Sequence, residues 1–151
     1  MQANAGNASA AHQSLATAKA ASATAPWQVH YFPGVAHALM KHWAPAEQEL
    51  AALKAQAVAE PGTVPPDRVP ALEGYLLTQQ GKPADALAIL MKADTTSVLI
   101  MNRVAEAHAA LGHPAVAAAW NNRVNTNYAL NLMDFTNVNS RRRAKLETAS
   151  R

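Results

Sequence analysis

Between Ala71 and Arg123 apolar residues recur at helical spacing in runs that are broken twice by the same kind of corner. The two corners read Gly81-Lys82-Pro83-Ala84-Asp85-Ala86-Leu87-Ala88 and Gly112-His113-Pro114-Ala115-Val116-Ala117-Ala118-Ala119. Glycine tolerates the left-handed backbone that ends a helix, and proline suits the first turn of the next, where its missing N–H costs nothing. Each corner therefore predicts the turn of an antiparallel helical hairpin, and the pair predicts a repeat.

Upstream the pattern is weaker. Trp27, Val29, Tyr31 and Phe32 precede Pro33-Gly34, which reads as a turn into a short helix from Val35 to Trp43. These side chains are expected to cover the open end of the first hairpin, with a ligand contact as the alternative. Leu50, Leu53, Ala57 and Val58 are spaced for one face of a second helix, with Glu47, Glu49 and Lys54 toward solvent. Pro45-Ala46 takes the place of Pro83-Ala84 and Pro114-Ala115, at spacings of 38 and 31 residues, so this hairpin reads as a degenerate copy. Residues 61–66 read as an extended, proline-stiffened connector.

Downstream, Asp67 is placed to cap a helix through Leu77, with a partner running from Pro83 through Leu87, Leu90 and Met91. The cluster Asp94-Thr95-Thr96-Ser97 is placed to cap another helix from Val98 to Leu111. The last clear helix opens at Pro114, with Val116, Ala119, Trp120 and Val124 on its inner face. From Asn121 onward asparagines interrupt the apolar pattern. The chain thus divides into a flexible arm (1–25), a first degenerate hairpin (26–60), two regular hairpins (67–124), and a C-terminal cap with a basic tail (125–151).

Composition sharpens this picture. Half the residues are hydrophobic, but many of these are alanine and only eight are aromatic, which suits helices packed at close range. No apolar run approaches the roughly 18 residues of a membrane span. The chain has no cysteine, so disulfides and thiolate chemistry are excluded. The formal charge of +3 is uneven: residues 141–151 carry five cations against one anion, leaving the other residues at −1. Residues 1–25, rich in Ala, Ser and Asn, resemble the start of an exported bacterial protein after signal removal, which points to the periplasm, with the cytoplasm as the alternative.

With these features in place, residues 70–124 resemble the tetratricopeptide repeat family. Gly74 and Gly81 stand where that family favours glycine, and Ala86, Leu90 and Ala93 match its small, large and small positions. In the second copy Val104-Ala105, His108, Leu111-Gly112 and Ala117 fall in register. The period of 31 residues departs from the standard repeat of about 34, and Asn121 stands where a large apolar residue is expected. The resemblance implies an all-α fold of antiparallel hairpins stacked as a short solenoid, with irregular arms at both ends. Its ligands would lie along the first helix of each hairpin, which places Tyr75, Gln79, Asn102 and Glu106 in a groove.

Catalytic chemistry finds no constellation. His37 and His42, and likewise His108 and His113, are five apart, a spacing expected to turn the rings to different faces, so no metal site is expected. No serine has a nucleophile setting, no glycine-rich phosphate loop follows a strand, and the acids are scattered singly. No enzyme activity, cofactor or small-molecule substrate is expected. The expectation is a protein-protein interaction module: a non-catalytic subunit of a larger periplasmic or membrane-bound assembly, for example a respiratory dehydrogenase. It would meet a membrane only through its partner. The alternative is binding of nucleic acid or an anionic membrane through Arg141, Arg142 and Arg143, argued against by the lack of interleaved aromatics.

Overall fold

A computed structural model describes residues 26–127. The expected arm (1–25), most of the C-terminal cap, and Arg141, Arg142 and Arg143 lie outside them. All regular structure among the described residues is helical, with no strand: α1 Gln28–Leu39, α2 Trp43–Ala59, α3 Arg68–Gln79, α4 Pro83–Leu90, α5 Val98–Ala110 and α6 at 114–127.

Three corners of one design join these helices in pairs. At the first, the Met40, Lys41 and His42 N–H groups donate to the carbonyls of Ala36, Ala38 and His37. Gln80, Gly81 and Lys82 bond in the same way to Leu76, Thr78 and Leu77; Leu111, Gly112 and His113 bond to Ala107, Ala109 and His108. Each helix thus ends on a residue with positive φ: Lys41 at 58°, Gly81 at 77° and Gly112 at 76°. The expected register of the first hairpin is corrected accordingly. Lys41, not a glycine, is the corner residue; α2 starts at Trp43 in the position of Pro83 and Pro114, and Pro45 lies two residues further on.

In this register the small residues align. Gly34, Gly74 and Ala105 each lie seven residues before their corner, and Ala46, Ala86 and Ala117 each five after it; all six are buried. Small side chains at a crossing let two helix backbones approach. A Cβ on Gly74 would stand 2.6 Å from Leu90 Cγ, and one on Gly34 2.8 Å from Leu72 Cδ2. This common spacing is hard to see in the sequence because the second helices differ so much in length, 17 residues in α2 and 8 in α4, while the first helices hold at 12, 12 and 13.

The hairpins pack on one another through their first helices. α1 packs against α3 and α3 against α5, while α2 and α4 each lie against the first helix that follows. Glu47 accepts a hydrogen bond from Gln80, and Lys54 pairs with Glu73, so α2 and α3 run antiparallel. Arg68 at the start of α3 stacks on Trp27 before α1, and Ser97 before α5 bonds Asp67 before α3, so α1, α3 and α5 run parallel in a row. The core between them contains Leu53, Leu72, Leu90, Ile100 and Val104, all fully buried, each contributing about 1.5–3 kcal/mol.

Several local expectations are corrected. α1 begins at Gln28, so Pro33-Gly34 sits inside a helix, and that helix ends at Leu39 rather than Trp43. Residues 61–66 form turns rather than an extended connector, with Thr63 bonded to Glu60 and Arg68 to Pro65, and Val64 is buried in the core. Val58 lies off the buried face of α2 at 81% exposure, a quarter-turn beyond Ala57, while Glu49 turns inward to His30 at 2.8 Å. α4 stops at Leu90, leaving Met91 exposed. α6 continues past Asn121 to 127, burying Ala117 and Val124 rather than Val116 and Ala119, with Trp120 packed against the core.

Candidate functional site

The N-terminal ends of α1, α3 and α5 surround a cleft of about 370 Å³. Trp27, Tyr31 and Phe32 form one wall, Asp67 and Arg68 the second, and Ser97 to Leu99 with Asn102 the third. That volume is at the lower end of the roughly 300–1,000 Å³ typical of ligand pockets. The wall of α1 is aromatic because the helix already begins at Gln28, which puts Trp27 and Tyr31 one turn apart with ring centres 5.8 Å from each other. Tyr31 is buried, whereas Phe32 is 43% exposed beside it. Tyr31 belongs to the core and Trp27 packs against it, while with Phe32 they also line the open cleft.

The second wall is held by an ionic tie. Asp67 and Ser97 are the residues before α3 and α5, yet neither side chain caps its own helix. Asp67 Oδ2 instead accepts from Arg68 at 2.9 Å and from the Ser97 hydroxyl at 2.7 Å, locking the starts of two helices together. The Arg68 guanidinium in turn lies 4.7 Å from the centre of the Trp27 ring. The carboxylate of Asp94 is spent locally: the Thr96 side chain and N–H donate to it and hold its pKa below the usual value.

Of the residues expected in the groove, Asn102 lines the cleft; Gln79 and Glu106 are exposed but do not line it, Gln79 lying at the opposite, C-terminal end of α3. Tyr75 does not reach the surface. Its ring is 5% exposed and lies under Arg103, whose guanidinium is 4.0 Å from the ring centre and bonds both carboxylate oxygens of Glu106 at 2.9 and 2.7 Å. Burial pushes the Tyr75 hydroxyl above its ordinary pKa of 10.0, against the opposing pull of Arg103. Burial alone would lower the pKa of Arg103, but the charge and hydrogen bonds of Glu106 outweigh it and leave the guanidinium firmly charged.

Sequence reasoning missed Arg68 and Arg103. Arg68 follows an expected cap and carries no signal beyond its charge; Arg103 meets Tyr75 from another helix, a relation no spacing within one helix encodes. The aromatic run from Trp27 was visible, and Trp27 and Tyr31 pack against the core while Phe32 is exposed.

The histidine pairs overturn the reasoning about their spacing. Ring centres are 6.0 Å apart for His37 and His42 and 5.8 Å for His108 and His113. The chain leaves the helix between the two residues, and the corner turns the second ring back toward the first. Among the described residues no group of three or more His, Cys, Asp or Glu side chains is placed to hold a metal, and no helix is long and apolar enough to cross a membrane.

Set against known proteins, the chain matches no family model, and no curated protein or solved structure is significantly similar to it.

Proposed function

We propose that this chain is a tetratricopeptide-like protein-protein interaction module that receives a segment of a larger protein subunit in the cleft at the head of α1, α3 and α5. It serves as a non-catalytic accessory subunit of a periplasmic or membrane-bound assembly. The observation that carries this reading is the exposed Phe32 ring, set in a cleft with the stacked Arg68 and with Asn102, among parallel first helices. Exposed aromatics beside arginine are the residue types that dominate binding energy at protein interfaces. The repeated corners and small crossing residues favour a short stack of hairpins, and in such stacks the row of first helices offers a continuous surface.

The test uses the full chain as bait in an extract of its own cells, with Phe32→Ala and Asn102→Ala as variants and helix content checked by circular dichroism. The expected result is one co-purifying protein, held from low to high salt and lost with Phe32→Ala. Two outcomes refute the reading: capture that persists with both residues replaced, or capture of nucleic acid or anionic lipid that fades steeply with salt and requires Arg141, Arg142 and Arg143.

A further inference from the structure

The chain leaves α6 at Asn127, at the same end of the stack as the cleft. There Asn127 Nδ2 donates to Met101 Sδ of α5 at 3.8 Å, and the shallow hollow around these two residues also takes in Thr96. Ser97, the residue after Thr96, and Asn102, the residue after Met101, line the cleft. Hollow and cleft therefore flank the start of α5, and a chain continuing from Asn127 has one helix to cross before it reaches the cleft. A helix with its side chains is roughly 10–12 Å across. An extended chain covers about 3.3 Å per residue, so about four residues span it.

Chemistry selects the segment that follows. Asp67 Oδ2 accepts from both Arg68 and the Ser97 hydroxyl, so the two charges lining the cleft are matched within its own wall. The other lining groups include the exposed Phe32 ring, Val98, Leu99 and the Asn102 amide, which can both donate to and accept from a peptide backbone. Such a surface suits an apolar segment with little charge. Residues 1–25 offer only Met1 and Leu15 as large apolar side chains, and residues 141–151 are dominated by cations. Residues 128–135 read Tyr128-Ala129-Leu130-Asn131-Leu132-Met133-Asp134-Phe135, five large apolar side chains in eight residues with a single charge.

We propose that residues 132–135 of this same chain dock in the cleft, with residues 128–131 crossing the head of α5. Met133 and Phe135, two apart and so on one face of an extended segment, enter beside Phe32. The proposal rests on the reading of the cleft as a groove for a chain segment, and supplies its resting occupant. A segment of another subunit then binds by displacing it, which raises that partner's apparent Kd by the reciprocal of the fraction of chains whose cleft is free.

Because the chain has no cysteine, engineered pairs give an unambiguous crosslink. Purified full-length protein carrying Asn102→Cys and Thr136→Cys, oxidised at low concentration, is expected to close an internal disulfide, seen as a faster-running monomer that reductant abolishes. Adding Met133→Ala and Phe135→Ala is expected to slow closure several-fold. Pairing Thr136→Cys instead with Val116→Cys, exposed near the start of α6, is expected to give no internal disulfide. Circular dichroism checks that helix content is equal in all three. The inference is overturned if Asn102→Cys gives no internal disulfide, if the disulfide joins two chains, or if closure is as fast without the two anchors or with Val116→Cys. No partner takes part in this test. Its failure therefore leaves capture of a subunit by the cleft standing, whereas failed capture beside a closed disulfide removes only the displacing partner.

Discussion

The Arg103 guanidinium lies 4.0 Å from the centre of the Tyr75 ring, joining α5 to α3 while Glu106 holds it from its other side. This contact keeps Tyr75 out of the groove, beneath an arginine whose own side chain is mostly buried. Arg103→Ala uncovers the ring and removes the bridge, with an expected loss of about 2 kcal/mol. Glu106→Gln is expected to cost less than about 1 kcal/mol, because that carboxylate is largely exposed and screened by water. Urea unfolding of the two variants at neutral pH gives the comparison, and equal losses would contradict it.

The same burial makes an alkaline prediction. The folded-state pKa of Tyr75 is raised, so below pH 10 the hydroxyl is neutral in both states and its contribution is intact. As pH climbs past 10 the unfolded chain ionises first, binds fewer protons than the folded one, and stability falls. Tyr75→Phe should therefore lose less stability between pH 9 and 11 than the wild type, as read from the urea midpoint.

Lys41 holds a left-handed conformation that glycine holds in the other two corners. A side chain there costs roughly 1 kcal/mol. Lys41→Gly is expected to stabilise the protein by up to about that amount, and Gly81→Ala and Gly112→Ala to destabilise it similarly, although an added Cβ at either glycine meets nothing within 4 Å. Thermal unfolding followed at 222 nm distinguishes the signs.

Gly74 tests close packing. Alanine there gains about 1 kcal/mol of helix propensity but drives Cβ to within 2.6 to 2.8 Å of three atoms of fully buried Leu90, an overpacking cost of roughly 1–3 kcal/mol. A net loss is expected at Gly74 and a smaller effect at Gly34, where the contacts are chiefly with the tip of Leu72. Combining Gly74→Ala with Leu90→Ala should cost less than the sum of the two, since the second change makes room for the first.

Asp67 bonds both Arg68 and Ser97, so Asp67→Ala should cost about 1–2 kcal/mol and Ser97→Ala less. The pair should be non-additive, because both changes break the same tie. Chemical denaturation of the four-member cycle measures that coupling.

The helical class and two of the three corners were legible in the order of residues, because glycine, proline and the helical period act locally: a left-handed backbone at Gly81 and Gly112 needs no distant contact to be preferred. The first corner was not, because Lys41 adopts that backbone against its own preference, and the packing of α1 on α2 and α3 has to impose it. Pro33 misled because a proline that commonly opens a helix is here carried inside one, with its own ring fully buried and Gly34 packed beside Leu72. The cleft, the cover over Tyr75 and the meeting of the histidine rings depend on which helices become neighbours and in what direction they run. Those relations arise between residues far apart in the chain or across a turn, so only the tertiary structure decided them.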